Sequence, residues 1–334
     1  MNDTQSPVPN EPSPAETDPA LPARQSTSEE QPAADAGFRA GFAAVVGRPN
    51  VGKSTLMNHV LGQKIAIISA KPQTTRRTQL GILSRPDAQI IFVDTPGMHE
   101  PRNPLGVYMV DVATRALNEA DAVLFIVDVS VAPGPGDERL AELILQRPDP
   151  APVVLAMNKA DRLSPEYVIP HTEAYRSLVP AAEWLLVSAT RGDNLDELLA
   201  ALVRTLPLSP ALYPEDEVTQ THVRDLAAEF IREAALNALE EEVPHGIAVE
   251  IDEFNERDAN NTYIAATLYV ERDSHKGIVI GKGGAMLKRI GSSARAEIER
   301  LLETKVYLDL HVKVRPEWRK RESDVRRMGY RPEK

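Results

Sequence analysis

The sequence predicts two folded domains in succession, a doubly wound α/β domain carrying a phosphate loop and then a smaller α+β domain. Three observations predict them. "GRPNVGKST", from Gly47 to Thr55, fits G-x-x-x-x-G-K-[S/T] and lies between an apolar run, "FAAVV", and a helical one, "KSTLMNHVLG". That pattern lets backbone N–H groups curl around phosphate oxygens with no side chains in the way. Short apolar runs then alternate with longer amphipathic ones as far as Leu206, the signature of a sheet wound with helices. Beyond "PLSPALYPEDEVT" the order changes to helix, two strands, a glycine-rich turn, a further helix and a strand.

Residues 1–37 are rich in Pro, Ser, Thr, Ala and Glu, set seven acids against Arg24 alone, and show no apolar periodicity; they are expected to form a disordered tail. The α/β domain is expected over 38–206, with strands at 42–46, 65–68, 90–93, 122–128, 153–157 and 184–187 and a nucleotide at their C-terminal ends. Residues 207–218, proline-rich and acidic, read as a linker. The second domain, 219–334, opens on "HVRDLAAEFIREAALNALE", continues through the alternating strands "GIAVEIDEF" and "TYIAATLYVE", and closes on "KVYLDLHVKV" and a basic tail.

Composition narrows the function. The chain of 334 residues has no cysteine, which removes disulfides, thiolate metal sites and a cysteine nucleophile. No run of 18 apolar residues and no signal peptide is found, so a soluble, cytoplasmic protein is expected. The formal net charge of -11 argues against a nucleic-acid partner only if it is evenly spread. From Arg272 onward 17 Lys and Arg stand against 9 Asp and Glu, a surplus of +8, and this is a local electrostatic footprint for a polyanion.

The nucleotide is chosen outside the phosphate loop. "VVLAMNKAD" places Asn158, Lys159 and Asp161 after a buried strand in the pattern N-K-x-D. A carboxylate at Asp161 accepts from both N1–H and the 2-amino group of guanine, a donor pair that adenine lacks. In "LLVSAT", Ser188, Ala189 and Thr190 follow the next strand, and the Ala189 N–H is expected to donate to guanine O6. Within the phosphate loop, Gly47, Arg48, Pro49, Asn50, Val51, Gly52, Lys53, Ser54 and Thr55 surround the phosphates, Lys53 neutralising the β/γ charge and Ser54 ligating Mg²⁺. "IIFVDTPG" brings Asp94, Thr95, Pro96 and Gly97 to the site, with Asp94 holding Mg²⁺ through a water and Gly97 donating its N–H to the γ-phosphate. The polar stretch "KPQTTRRTQLGI" offers Thr74 or Thr75 as the second hydroxyl on Mg²⁺, with Thr75 preferred, on a loop ordered by the γ-phosphate.

Together "GRPNVGKSTL", "QTTR", "DTPG", "NKAD" and "SAT", followed by a G-x-x-G module, closely resemble the Era family of bacterial ribosome-assembly GTPases over about residues 40–330. The resemblance implies a P-loop GTPase domain followed by a type II KH domain, GTP hydrolysis, and binding near the 3′ end of 16S ribosomal RNA during maturation of the 30S subunit. Peripheral membrane association is a minor option. A KH domain clamps about four nucleotides with its G-x-x-G loop. Here that loop is Gly281, Lys282, Gly283 and Gly284, with Lys276, Lys288 and Arg289 near enough to contact phosphate. Trp318 in the basic tail is expected to pack a terminal helix onto the domain, stacking of Trp318 and Tyr330 on bases being the alternative.

One departure from better-known small GTPases is Met98, where those proteins carry a water-positioning glutamine. Hydrolysis is therefore expected to be slow unaided. Relatives sharing the "PN-x-GKS" pattern use its asparagine, here Asn50, to help hold a potassium ion beside the phosphates. The rival readings are an RNA-binding module that senses nucleotide and barely turns it over, and a related GTPase acting on tRNA.

Overall fold

The computed structural model describes residues 37–69, 71, 74–97, 101, 103–181 and 183–330. The expectations for the N-terminal tail and for Met98 fall outside these residues, Gly37 apart.

The first sheet is built from β1 (Arg39–Val46), β2 (Gln79–Ser84), β3 (Ala88–Asp94), β4 (Ala122–Asp128), β5 (Val153–Asn158) and β6 (Glu183–Leu186), in the spatial order β2-β3-β1-β4-β5-β6. All neighbours are parallel except β2 and β3, which form an antiparallel pair. Strands β3, β4 and β5 are continuous apolar runs because both faces are covered. One face packs on α1 (Lys53–Leu61) and α5 (Leu195–Thr205), where Leu195, Leu198, Leu199 and Leu202 recur at helical spacing. The other receives Leu117 from α2 (Pro104–Glu119), Leu140 and Ile144 from α3 (Pro135–Leu145) and Tyr175 from α4 (Val168–Arg176).

The apolar run Ile65 to Ile68, expected as a strand, forms no ladder. Ile65, Ala66 and Ile67 are buried, but the backbone of Ile65 and Ala66 is met by a side chain. Asn58 Oδ1 accepts from the N–H groups of Ile65 (3.1 Å) and Ala66 (2.9 Å), and Asn58 Nδ2 donates to the Ala66 carbonyl (2.7 Å). The outer strand is instead β2, inside the stretch read as polar loop.

The second sheet contains β7 (Ala248–Asp258), β8 (Asn261–Val270) and β9 (Lys305–Val314), with β7 antiparallel and β9 parallel to β8. Helices α6 (Val223–Ala238), α7 (Asp273–Ile280) and α8 (Ala285–Leu302) cover one face through Phe230, Ile231, Val279, Ile290 and Ile298. The resulting order, α-β-β-α-α-β, is that of a type II KH domain.

The segment joining the two sheets lies along the edge of β2. The Val218 carbonyl accepts from Ile82 N–H (2.8 Å), Thr219 Oγ1 donates to the Leu80 carbonyl (2.6 Å), and Gln89 Oε1 accepts from the N–H groups of Leu212 and Tyr213. An otherwise open sheet edge is thereby capped. The C-terminal tail, with α9 (Glu322–Arg327), is folded between the domains. Trp318 is fully buried against Ala248, Tyr269 and Tyr330, and its indole N–H donates to the Gly246 carbonyl (2.8 Å), so this ring packs the tail and is not available for base stacking.

Candidate nucleotide and RNA sites

A cleft of about 330 Å³ opens at the C-terminal edge of the first sheet, where β1, β3 and β5 end. Asn50, Lys53, Ser54, Thr75, Gly97 and Asp161 line it. The loop after β1 turns back through Asn50 (φ 65°) and Gly52 (φ 105°) before α1 begins. A Cβ on Gly52 would stand 2.3 Å from Asn158 Nδ2, so glycine is required there both by the left-handed backbone and by the neighbour. The first turn of α1 then presents its N–H groups to the cleft, a ready anion site.

Lys53 Nζ donates to the carbonyls of Gly47 (2.9 Å) and Arg48 (3.2 Å), which holds the ammonium inside the loop it serves. Burial pushes this lysine below its ordinary value, with Asp94 opposing the shift. Burial pushes Asp94 up, against Lys53 and two hydroxyl donors. Those donors are Ser54 Oγ (3.1 Å) and Thr75 Oγ1 (3.3 Å), both to Asp94 Oδ2, and the two hydroxyls stand 3.4 Å from each other. Asp94 Oδ1 is buried without a hydrogen-bond partner. Three converging hard oxygens, with an unpartnered carboxylate oxygen beside them, match the donor set of Mg²⁺. Thr74 is turned the other way, its hydroxyl donating to the Lys71 carbonyl (2.6 Å).

On the base side, Asn158 joins three segments. Its Nδ2 donates to the Val51 carbonyl (2.7 Å) and its Oδ1 accepts from Ala189 N–H (2.9 Å). The Ala189 amide, expected to meet guanine O6, is therefore engaged by Asn158 in this structure. Ser188 Oγ donates to Asp161 Oδ1 (2.7 Å) and orients this cleft-lining carboxylate. Lys159 is left-handed (φ 63°) and its ammonium meets Asp128 Oδ2 at 2.6 Å. Asp128 went unnoticed in the sequence, although it closes β4 as Asp94 closes β3, and a carboxylate at a strand end was the available signal.

Some residues of these motifs do other work. Arg48 leaves the cleft and pairs with Asp137 of α3 (2.7 Å). Thr95 Oγ1 donates to the Val45 carbonyl (2.9 Å), bracing β3 on β1. Gly97 lies against Pro49, where a Cβ would come within 3.0 Å of the proline ring. Thr55 and Thr190 line the cleft.

In the second domain the G-x-x-G loop joins α7 to α8. Gly281 (φ 71°) packs so closely that a Cβ would fall 2.9 Å from the Met286 backbone nitrogen. Lys282, Lys288 and Arg289 are exposed, and Lys276 is half-buried. Apolar surface adjoins them: Ile278 is exposed, and Leu308 and Leu310 of β9 are half-buried. Exposed cations on and beside a G-x-x-G loop suit a single strand with its phosphates on the loop.

Fold and sites together define a P-loop GTPase joined to a KH domain. Residues 42–159 match the model of the 50S ribosome-binding GTPase family and residues 242–319 that of the KH domain. The chain is 47% identical over 296 residues to the GTPase Era of Halothermothrix orenii, covering 88% of this chain and 99% of the relative. It is likewise 47% identical over 294 residues to that of Geobacter metallireducens, covering 88% and 98%. A crystal structure of Era in complex with MgGDPNP and nucleotides 1506–1542 of 16S ribosomal RNA superposes with a TM-score of 0.84 at 44% identity, covering 88% of this chain and 99% of that one. An Aquifex aeolicus Era variant bound to GDP·AlF4⁻ gives 0.82 at 43% identity, with the same coverage. The chain belongs to the Era family of GTPases.

Proposed function

We propose that this GTPase is a switch that binds the 3′ region of 16S ribosomal RNA through its KH domain and assists assembly of the 30S subunit in the cytoplasm. The observation that carries the reading is the convergence of Ser54, Thr75 and Asp94 in the cleft that also holds Asn158 and Asp161. The RNA partner is supported by the Era complex with nucleotides 1506–1542 and by the exposed Lys282, Lys288 and Arg289 beside the G-x-x-G loop. Ser54, Thr75 and Asp94 would hold Mg²⁺, which when bound screens the charge on the β- and γ-phosphates. Lys53 would bind the same phosphates from the loop side, and Asp161, oriented by Ser188, would read guanine. The basic surface also leaves peripheral contact with an anionic membrane as a secondary role; among the described residues no helix is long and apolar enough to cross one. Turnover of GTP against ATP, with and without an oligonucleotide carrying the 16S 3′ end, tests the reading. GTP hydrolysis that rises with the RNA is expected; equal use of ATP, or no RNA binding at 100 mM salt, would refute it.

Asn50 lines the cleft alongside Ser69, Lys71 and Thr74, and its amide oxygen together with loop carbonyls would supply the oxygen set of a monovalent cation. A potassium ion there would offset charge developing between the phosphates in place of an arginine finger. Turnover is accordingly expected to be faster in K⁺ than in Na⁺ at equal ionic strength, and Asn50→Ala to remove the difference with GDP affinity little changed. Identical parent rates in the two salts would dismiss the ion.

A further inference from the structure

The loop that carries Thr75 is gripped on both sides by the second domain. Before Thr75, Arg232 of α6 donates from Nη2 to the Thr74 carbonyl. After it, Arg76 crosses to the segment preceding β7, with Nη1 to the Ile247 carbonyl (2.6 Å) and Nη2 to the His245 carbonyl (3.0 Å). Both guanidinium groups are almost wholly buried, at 1% exposure each. Arg232 is ion-paired with Glu229 one turn earlier on α6, its Nε donating to Oε1 at 3.1 Å. The next residue of the helix, Glu233, accepts from Ile68 N–H (3.0 Å) and pairs with Lys64 (2.6 Å), so α6 also fixes the start of the same loop.

A buried ion pair is weak evidence for stability, because desolvation offsets the attraction. Its value lies in the geometry that it fixes, and here the fixed atom is the carbonyl adjoining a cation-site hydroxyl. The Thr74 hydroxyl is held by the Lys71 carbonyl while that of Thr75 meets Ser54 and Asp94, so a backbone rotation between them would take Thr75 Oγ1 away from Ser54 and Asp94.

We propose that Arg232 is a positioning residue for GTP hydrolysis. Through the Thr74 carbonyl it holds the Thr75 hydroxyl at the magnesium site, which makes α6 of the KH domain a part of the GTPase centre. The inference rests on the assignment of Thr75 as a metal-site hydroxyl. GDP, which has no γ-phosphate to order this loop, does not need the contact.

A double-mutant cycle in the full chain tests it. The variants are Arg232→Lys, the charge-balanced pair Arg232→Met with Glu229→Gln, Thr75→Ala, and Thr75→Ala combined with the charge-balanced pair. The pair is expected to lower kcat at least tenfold, to raise the Mg²⁺ concentration for half-maximal turnover severalfold, and to leave GDP affinity within twofold. Arg232→Lys, which keeps the charge but reaches one acceptor at a time, should fall between pair and parent. In the Thr75→Ala background the pair should cause no further loss. An equal kcat loss with and without Thr75, an unchanged Mg²⁺ dependence, or a matching loss of GDP affinity would overturn the inference while leaving the site assignment intact. Thr75→Ala with parental turnover and Mg²⁺ dependence would instead overturn both.

Discussion

Asp161→Asn is expected to lower GTP affinity by roughly 5- to 150-fold, the span that one bidentate base contact of about 1–3 kcal/mol represents. The same variant should gain affinity for xanthosine triphosphate. In the proposed reading Asp161 accepts two guanine donors, and an amide in its place offers one donor and one acceptor, which suits the 2-oxo group of xanthine. Ser188 Oγ, 2.7 Å from Asp161 Oδ1, can donate equally well to an amide oxygen, so the new side chain is held in the same orientation. The substitution should therefore exchange specificity and not simply destroy the loop. Titration of both nucleotides against parent and variant decides the matter: undiminished GTP affinity in the variant would exclude Asp161 as the guanine reader.

The second large effect is expected at the KH loop. Changing Lys282 and Gly283 together to aspartate turns a cationic clamp into an anionic one. The backbone should tolerate it, since Lys282 is exposed and a Cβ at Gly283 meets nothing within 4 Å. Gly283 is left-handed at φ 61°, a conformation that aspartate accepts better than most residues. RNA affinity should fall roughly ten- to a hundredfold at low salt, and the slope of log affinity against log salt should drop by about 1 or more as phosphate contacts are lost. Hydrolysis without RNA should stay near the parental rate. Parental RNA affinity at matched salt would remove the loop from the binding surface.

Local patterns were legible in the sequence wherever a function depends on residues close together in the chain. Gly47 to Thr55, Asn158 to Asp161 and Gly281 to Gly284 each carry their chemistry within a few positions, and the structure puts the first two in one cleft. Burial without a ladder was not legible: Ile65, Ala66 and Ile67 look like a strand because periodicity cannot tell a run satisfied by Asn58 from one satisfied by a neighbouring strand. Strand β2 was hidden for the converse reason, its apolar residues following directly on the polar "QTTRRT". Contacts between distant segments left no trace. Nothing in the sequence marks Arg76, Arg77 or Arg232 as reaching across the fold, and only the structure shows that Arg76 lies 5.8 Å from the Trp318 ring and that Arg77 donates to the Met328 carbonyl.

The folded tail has a consequence for the order of events during synthesis. Arg77 and Met328 are 251 positions apart, yet the guanidinium of one rests on the carbonyl of the other and over the ring of Tyr330. At about 5–20 residues per second, roughly 10–50 s separate the appearance of the two. The α/β domain can complete its sheet in that interval, but the loop bearing Thr75 lacks these anchors until Met328 and Tyr330 have been made. A nascent chain released early, even one ending just after β9, would carry an intact phosphate loop and an unfinished switch. The parts of the phosphate loop are thus made early in synthesis, and the contacts that hold the Thr75 loop against the second domain are made only once the chain has reached Tyr330.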